Sequence, residues 1–151
     1  MKKFRFRLQA LLKYEGFKVQ QAQNEVANVR RDINTCEDRI VHMHSEISAS
    51  GSSLMSEAEA GMDAHRYLRF KEFQEALAHK VAGEKVQRKE LEKKHQRKMK
   101  QLKAASVKKK ALENFKDRQQ QKYYAKAEKD QAKTTEEMVL IREARKKLTA
   151  S

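Results

Sequence analysis

Apolar residues recur along the first third of the chain in alternating steps of four and three. Starting at Leu8 the series runs Leu12, Glu15, Val19, Ala22, Val26, Val29, Ile33, Cys36, Ile40, Met43 and Ile47, and eleven of these twelve positions are apolar. A mean step near 3.5 residues is the repeat that wraps one helix around another in a left-handed supercoil. Within the series, Leu12, Val19, Val26, Ile33, Ile40 and Ile47 form one edge, mostly β-branched, and smaller, mixed side chains form the other. The pattern predicts one helix over about residues 5–49 with a single buried seam, Leu8, Leu12, Val19, Val26, Ile33, Ile40 and Ile47 as its structural line.

The run Ser48-Ala49-Ser50-Gly51-Ser52-Ser53 predicts the end of that helix. Serine hydroxyls compete for backbone hydrogen bonds and glycine admits a left-handed turn. Ser56 and Glu59 have capping-box spacing, which starts a short helix, and Gly61 and Asp63 offer a second start. A turn with a short helix is therefore expected over about 50–62, and a long helix over about 63–148, with breaks possible at Gly83 and Thr134. Its seam is hard to see. Tyr67, Phe70, Phe73, Leu77 and Val81 make an apolar stripe, but stepping on from Leu77 meets apolar residues little more often than composition supplies them.

Composition agrees with helix throughout. There is no proline, where about seven would be usual in this length, and proline is the strongest breaker of helix interiors. Charged residues make up 37% of the chain and aromatics 7%, too few large apolar groups for a compact core. The expected architecture is all-α, a single domain folded as an elongated antiparallel two-helix coiled-coil hairpin with unequal arms. At about 1.5 Å per residue the arms would measure about 65 and 125 Å. Position 8 would then lie opposite roughly 95–105, leaving the later residues as an overhang beyond the first helix. No segment approaches the ~20 apolar residues of a membrane span. The single cysteine, Cys36, suits a reducing cytoplasm.

Charge narrows the function classes. The net charge is +14, and residues 84–110 hold 12 Lys/Arg against 3 Asp/Glu. Such density suits an acidic protein surface, nucleic acid or anionic lipid. Nucleic acid is disfavoured, because no aromatic interleaves with these cations and no leucine heptad array follows them. Catalysis is disfavoured as well: there is no phosphate-binding glycine loop, zinc-protease motif or glycine-flanked serine. His42 and His44 point in opposite directions on a helix and cannot share an ion, so no metal or other cofactor is expected. Cys36 reads as a packed small side chain.

The candidate partner-binding residues are Lys93, Lys94, Arg97, Lys98, Lys100, Lys108, Lys109 and Lys110, which would steer docking. Leu112, Phe115, Tyr123 and Tyr124 would supply close contact, being placed beyond the reach of the first helix. At the start of the chain Leu11, Tyr14 and Phe17 widen the apolar face, for packing within the chain, for a partner or for lipid headgroups.

The opening Phe4-Arg5-Phe6-Arg7-Leu8-Gln9-Ala10-Leu11-Leu12, with Glu15 and Ala22, resembles that of the FliJ family, the small soluble component of the bacterial flagellar export apparatus. Lys110-Ala111-Leu112-Glu113-Asn114-Phe115-Lys116-Asp117-Arg118, with Tyr123 or Tyr124 and the pair Glu136-Glu137, is similar to that family's second half. The dense cations of 84–110 and Gly16 depart from the pattern. The resemblance implies a coiled coil like the γ subunit of rotary ATPases and a non-enzymatic stalk or escort. Its implied partners are the flagellar export ATPase ring, the membrane-embedded export gate and export chaperones, which it would recycle. Its implied location is the cytoplasmic face of the inner membrane. A stalk protein of a virulence-type secretion system and a basic coiled-coil nucleic-acid-binding protein remain open as other classes.

Overall fold

In a computed structural model, residues 2–151 are described, and they form two helices and no strand. Helix α1 runs Gln9–Glu59 and helix α2 Ala64–Thr149. The two pack against each other as an antiparallel coiled-coil hairpin. The direction shows in the contacts between them. Glu25 meets Lys98, Glu37 meets Arg88, Arg39 meets Glu84, and Gly51 faces the Gln74 side chain, so one number falls as the other rises.

The seam of α1 occupies the expected positions from Leu12 onward. Val19, Val29, Cys36 and Ile40 are buried, and Leu12, Ala22, Val26, Ile33, Met43 and Ile47 are half-buried. Leu8 is the exception, 39% exposed and one residue ahead of the helix. The chain before Gln9 is not helical: Gln9 N–H bonds to the Phe6 carbonyl across a turn at Arg7–Leu8.

The helix does not stop at the serine run. It continues ten residues past the expected end at 49, and Ser56 and Glu59 lie inside it. The seam explains this continuation, because Ser50, Gly51, Leu54 and Glu57 carry the four-three spacing onward and turn inward. Ser50 is buried, and a Cβ at Gly51 would stand 3.7 Å from the Gln74 side chain, so both positions face α2. Tertiary packing overrides a local propensity worth a few tenths of a kcal/mol per residue.

The reversal is correspondingly short. Ala60 and Gly61 bond back to the carbonyls of Ser56 and Ala58, and Gly61 takes φ of 93°. That is the left-handed residue that commonly ends a helix. The Asp63 carbonyl then accepts the amides of Arg66 and Tyr67 and opens α2. A two-point pair of Arg66 with Glu57, at 2.6 and 3.1 Å, spans the turn. Beyond it α2 is continuous through Gly83 and Thr134.

By contacts the chain forms two units, one of residues up to Val19 with Ala105–Ser151, the other Gln20–Ala104. In the second unit Cys36, Ile40 and Val81 form a cluster with Met43, Ile47 and Leu91 against it, and Leu77 is buried nearby in sequence. The first unit has little apolar interior. Val19 is buried, and so is Glu15, whose one carboxylate oxygen lies 3.7 Å from Lys18 while the other has no hydrogen-bond partner.

Two pairs of substitutions probe these assignments. Ile40→Asp places an unpaired charge in the buried cluster and should cost about 3 kcal/mol in chemical denaturation. Val41→Asp, at an exposed neighbour, should stay within about 0.5 kcal/mol. Gly61→Ala forces an L side chain into the left-handed region and should destabilise by about 1 kcal/mol. Gly83→Ala, with open space where its Cβ would sit in the helix, should stabilise by about 0.5–1 kcal/mol. Equal costs within either pair would show that seam or turn has been misassigned.

Candidate interaction surfaces

The cations of 84–110 do not form one free set. A helix repeats every 3.6 residues, so inward positions of α2 recur at four-three spacing from Phe70 to Ala127. Lys98 and Lys109 fall on that line. Lys98 reaches Glu25 at 2.8 Å, and both are partly buried. Lys109 pairs with Glu113 at 3.8 Å, and its stem passes over Gly16 at 3.9 Å from where a Cβ would stand. Lys98 is therefore engaged across the hairpin, and Lys109 lies along its inward line.

The rest point outward. In the second unit Lys93, Arg97 and Lys100 stand on the face of α2 turned away from the seam, and Lys89 extends the same row one turn earlier. Lys93 bonds to Glu90 at 3.3 Å on the surface, a contact of small energetic weight. Lys94 is exposed nearer the seam. Lys108 and Lys110, in the first unit, are exposed on either side of Lys109. Lys89 was not singled out from the sequence, although counting i, i+4, i+8 from it to Lys93 and Arg97 exposes the row.

The apolar candidates are not beyond the reach of the chain's beginning. Phe6 packs on Phe115 with ring centroids 5.9 Å apart, and Phe4 packs on Tyr123 at 5.6 Å. The Tyr123 hydroxyl donates to the Lys2 carbonyl, and Tyr124 meets Tyr123 edge-on at 5.7 Å. Leu112 is half-buried in the seam. Two differences from the expected geometry cause this. Helix α1 ends about ten residues later than expected, so it pairs with a later part of α2. The segment before Gln9 is also non-helical, and extended chain covers about 3.3 Å per residue against 1.5 Å in a helix. This segment and α2 enclose a groove of about 800 Å³ lined by Phe4, Phe6, Leu8, Phe115 and Tyr123 with Lys126.

What lies free is elsewhere. Leu11, Tyr14 and Phe17 are exposed along one ridge of α1, with Lys18 standing 4.6 Å over the Tyr14 ring. Phe17 is the most exposed of the three, at 73%. Met138, Val139, Leu140, Ile141 and Leu148 are also exposed, and beyond Ala127 every described residue is. The four consecutive apolar residues 138–141 were legible in the sequence but hidden by reading only for seams.

A third feature is an open groove of about 930 Å³ beside the turn, between Ala49, Ser50 and Ser53 on α1 and Arg69, Phe70 and Phe73 on α2. The buried Ser50 hydroxyl that borders it has no hydrogen-bond partner.

Chemistry within the hairpin is structural. The Cys36 thiol is fully buried and donates toward the Glu84 carbonyl and carboxylate at 3.3 and 3.2 Å. Burial pushes its pKa up, and the neighbouring Glu84 pushes further, against a smaller opposing effect of Arg39. A thiol held protonated is a poor nucleophile. His42 pairs with Glu46 at 3.3 Å, and among the described residues no three His, Cys, Asp or Glu side chains are grouped to hold a metal ion. Among the described residues no helix is long and apolar enough to cross a membrane.

Among known proteins, no curated sequence and no solved structure matches this chain. One family model does, that of the flagellar FliJ protein, and it aligns with residues 4–148. That span takes in the Phe4–Leu12 opening, both helices and the 84–110 cations, so the chain belongs to the FliJ family, a component of the flagellar export apparatus.

Proposed function

We propose that this protein is a non-catalytic link within the flagellar export apparatus, joining the export ATPase ring to the export gate and recycling export chaperones. The family match across both helices carries the reading. The antiparallel hairpin, like the γ subunit's coiled coil, supports it. The working location is the cytoplasm, at the cytoplasmic face of the inner membrane, by association with the gate. Membership in a flagellar family favours this role over a virulence-type stalk. The absence of aromatics among the 84–110 cations favours a protein partner over nucleic acid.

A linking role needs more than one surface, and each unit supplies its own. The first carries the apolar ridge Leu11, Tyr14 and Phe17 with the exposed Lys108 and Lys110. The second carries the cationic row Lys89, Lys93, Arg97 and Lys100 and the groove at Phe70 and Phe73. Cations guide approach to an acidic surface through a field that reaches about 10 Å at 0.1 M salt, so they act on the association rate. Exposed aromatics act at contact, so they set the dissociation rate.

Binding kinetics on the immobilised export ATPase separate these contributions across a salt series. Lys93→Glu, Arg97→Glu and Lys100→Glu together should slow association by about tenfold and flatten its salt dependence. Phe17→Ala should leave association nearly unchanged and speed dissociation by about tenfold. Lys98→Glu should instead disturb the hairpin, through Glu25. Absence of binding by the unaltered chain, or association indifferent to salt and to the triple reversal, would refute the steering role.

A further inference from the structure

We infer that residues 134–148 of α2 form a self-complementary docking face that pairs antiparallel with the same stretch of a second copy of this chain, centred on Ile141. The face is the continuation of the hairpin's own seam. Inward positions of α2 run at four-three spacing to Tyr123 and Ala127, and the same count continues to Thr134, Ile141 and Leu148. Beyond Ala127, however, every described residue is exposed. Met138, Ile141 and Leu148 share this face and are 65%, 55% and 77% exposed, while Val139 and Leu140 of the same run are exposed to either side of it. Such a cluster on a surface otherwise made of charges marks an interaction site.

The charges choose the occupant. On the face itself Glu137 stands one turn before Ile141 and Arg145 one turn after it. More widely, Glu128, Asp130, Glu136 and Glu137 outnumber Lys129 and Lys133 before the apolar run, while Arg142, Arg145, Lys146 and Lys147 outnumber Glu143 after it. Among the described residues none of these charges is in an ion pair of 4.0 Å or less, in contrast to Lys98 or Arg88 in the hairpin. A uniformly acidic partner would meet Glu137 with like charge, a uniformly basic one would meet Arg145, and an anionic lipid surface would repel Glu136, Glu137 and Glu143. A helix bearing the same sequence in the opposite direction matches both halves. Centred on Ile141, it sets Glu137 level with Arg145 of the second copy, twice, and Leu148 level with Thr134. A twofold pair of this kind uses one patch against itself, and the a and d side chains interlock as in any two-stranded coiled coil.

Sedimentation equilibrium on the full chain from micromolar to millimolar concentration tests this. The expected result is a reversible monomer–dimer equilibrium. Ile141→Asp, which brings two like charges together on the axis, should weaken the dimer at least about a hundredfold, with helical circular dichroism unchanged because the site is exposed in the monomer. Glu137→Arg and Arg145→Glu should each weaken it, and an equimolar mixture of the two variants should restore dimer. Direction is read by oxidative cross-linking: Ile141→Cys should cross-link, while Leu148→Cys, about 20 Å from its counterpart in an antiparallel pair, should not. A chain that stays monomeric at every concentration overturns the proposal. So does a dimer indifferent to Ile141→Asp, a mixture without rescue, or cross-linking through Leu148→Cys.

Discussion

The hairpin rests on one strip of contact, a seam a single side chain deep on each helix. A globular core lets a buried residue touch neighbours on all sides, but here each inward residue of α1 meets only α2. Among the described residues six apolar ones are buried to the level of a core, namely Val19, Val29, Cys36, Ile40, Leu77 and Val81. The burial of each contributes about 1.5–3 kcal/mol at most. Regular spacing must therefore do what depth does elsewhere: every turn of both helices has to deliver a residue to the strip, and any turn that misses weakens it locally. That demand explains why α1 continues through a serine-rich run that would end an isolated helix. Ser50 and Leu54 fill places that the strip requires.

The strip is chemically lopsided. On α1 it is apolar from Leu12 to Ile47 apart from Glu15. On α2 the corresponding line from Phe70 to Ala127 includes Gln74, Glu84, Arg88, His95, Lys98, Lys109, Lys116 and Gln120 beside Leu77, Val81, Leu91, Leu102 and Leu112. The long side chains bury their stems and keep their charged ends at the rim. There they meet partners on α1: Glu25 for Lys98, Glu37 for Arg88, Arg39 for Glu84. Partly exposed pairs of this sort contribute about 0–1 kcal/mol each. Their larger effect is on register, since sliding the helices by one turn would separate all three together.

This lopsidedness decides what could be read from the sequence. The fold class and the α1 seam were legible because hydrophobicity alone carries them. The α2 seam was invisible to the same test, because about half of its inward residues are polar and their suitability depends on partners that only the hairpin supplies. The end of α1 was misplaced because serine and glycine were weighed by local propensity, while Ser50 and Gly51 in fact carry the seam onward toward α2. The docking candidates divided for the same reason. Lys93, Arg97 and Lys100 differ from Lys98 and Lys109 only in their angle around the helix, which has no meaning until the inward line is known. Phe115 and Tyr123 looked unpartnered because the residues before Gln9 were taken as helix, and an extended segment reaches much farther along α2.

A one-layer seam also separates what holds the fold from what faces outward. Changes at Val41, Lys93 or Phe17 touch no inward residue, so those positions are open to selection by partners without loss of helix pairing. The same separation gives meaning to exposed apolar groups. In a protein with a deep core, a surface leucine often rests on the edge of that core and contributes to stability. Here Leu11, Tyr14 and Phe17 lie off the strip, and Met138 to Ile141 lie past its last residue. Neither group is needed to pair α1 with α2, and both leave apolar area in water. Both groups are therefore open to contacts outside the chain, and the phase of the seam, carried on to Ile141 and Leu148, is what the proposed pairing of the stretch past Ala127 uses.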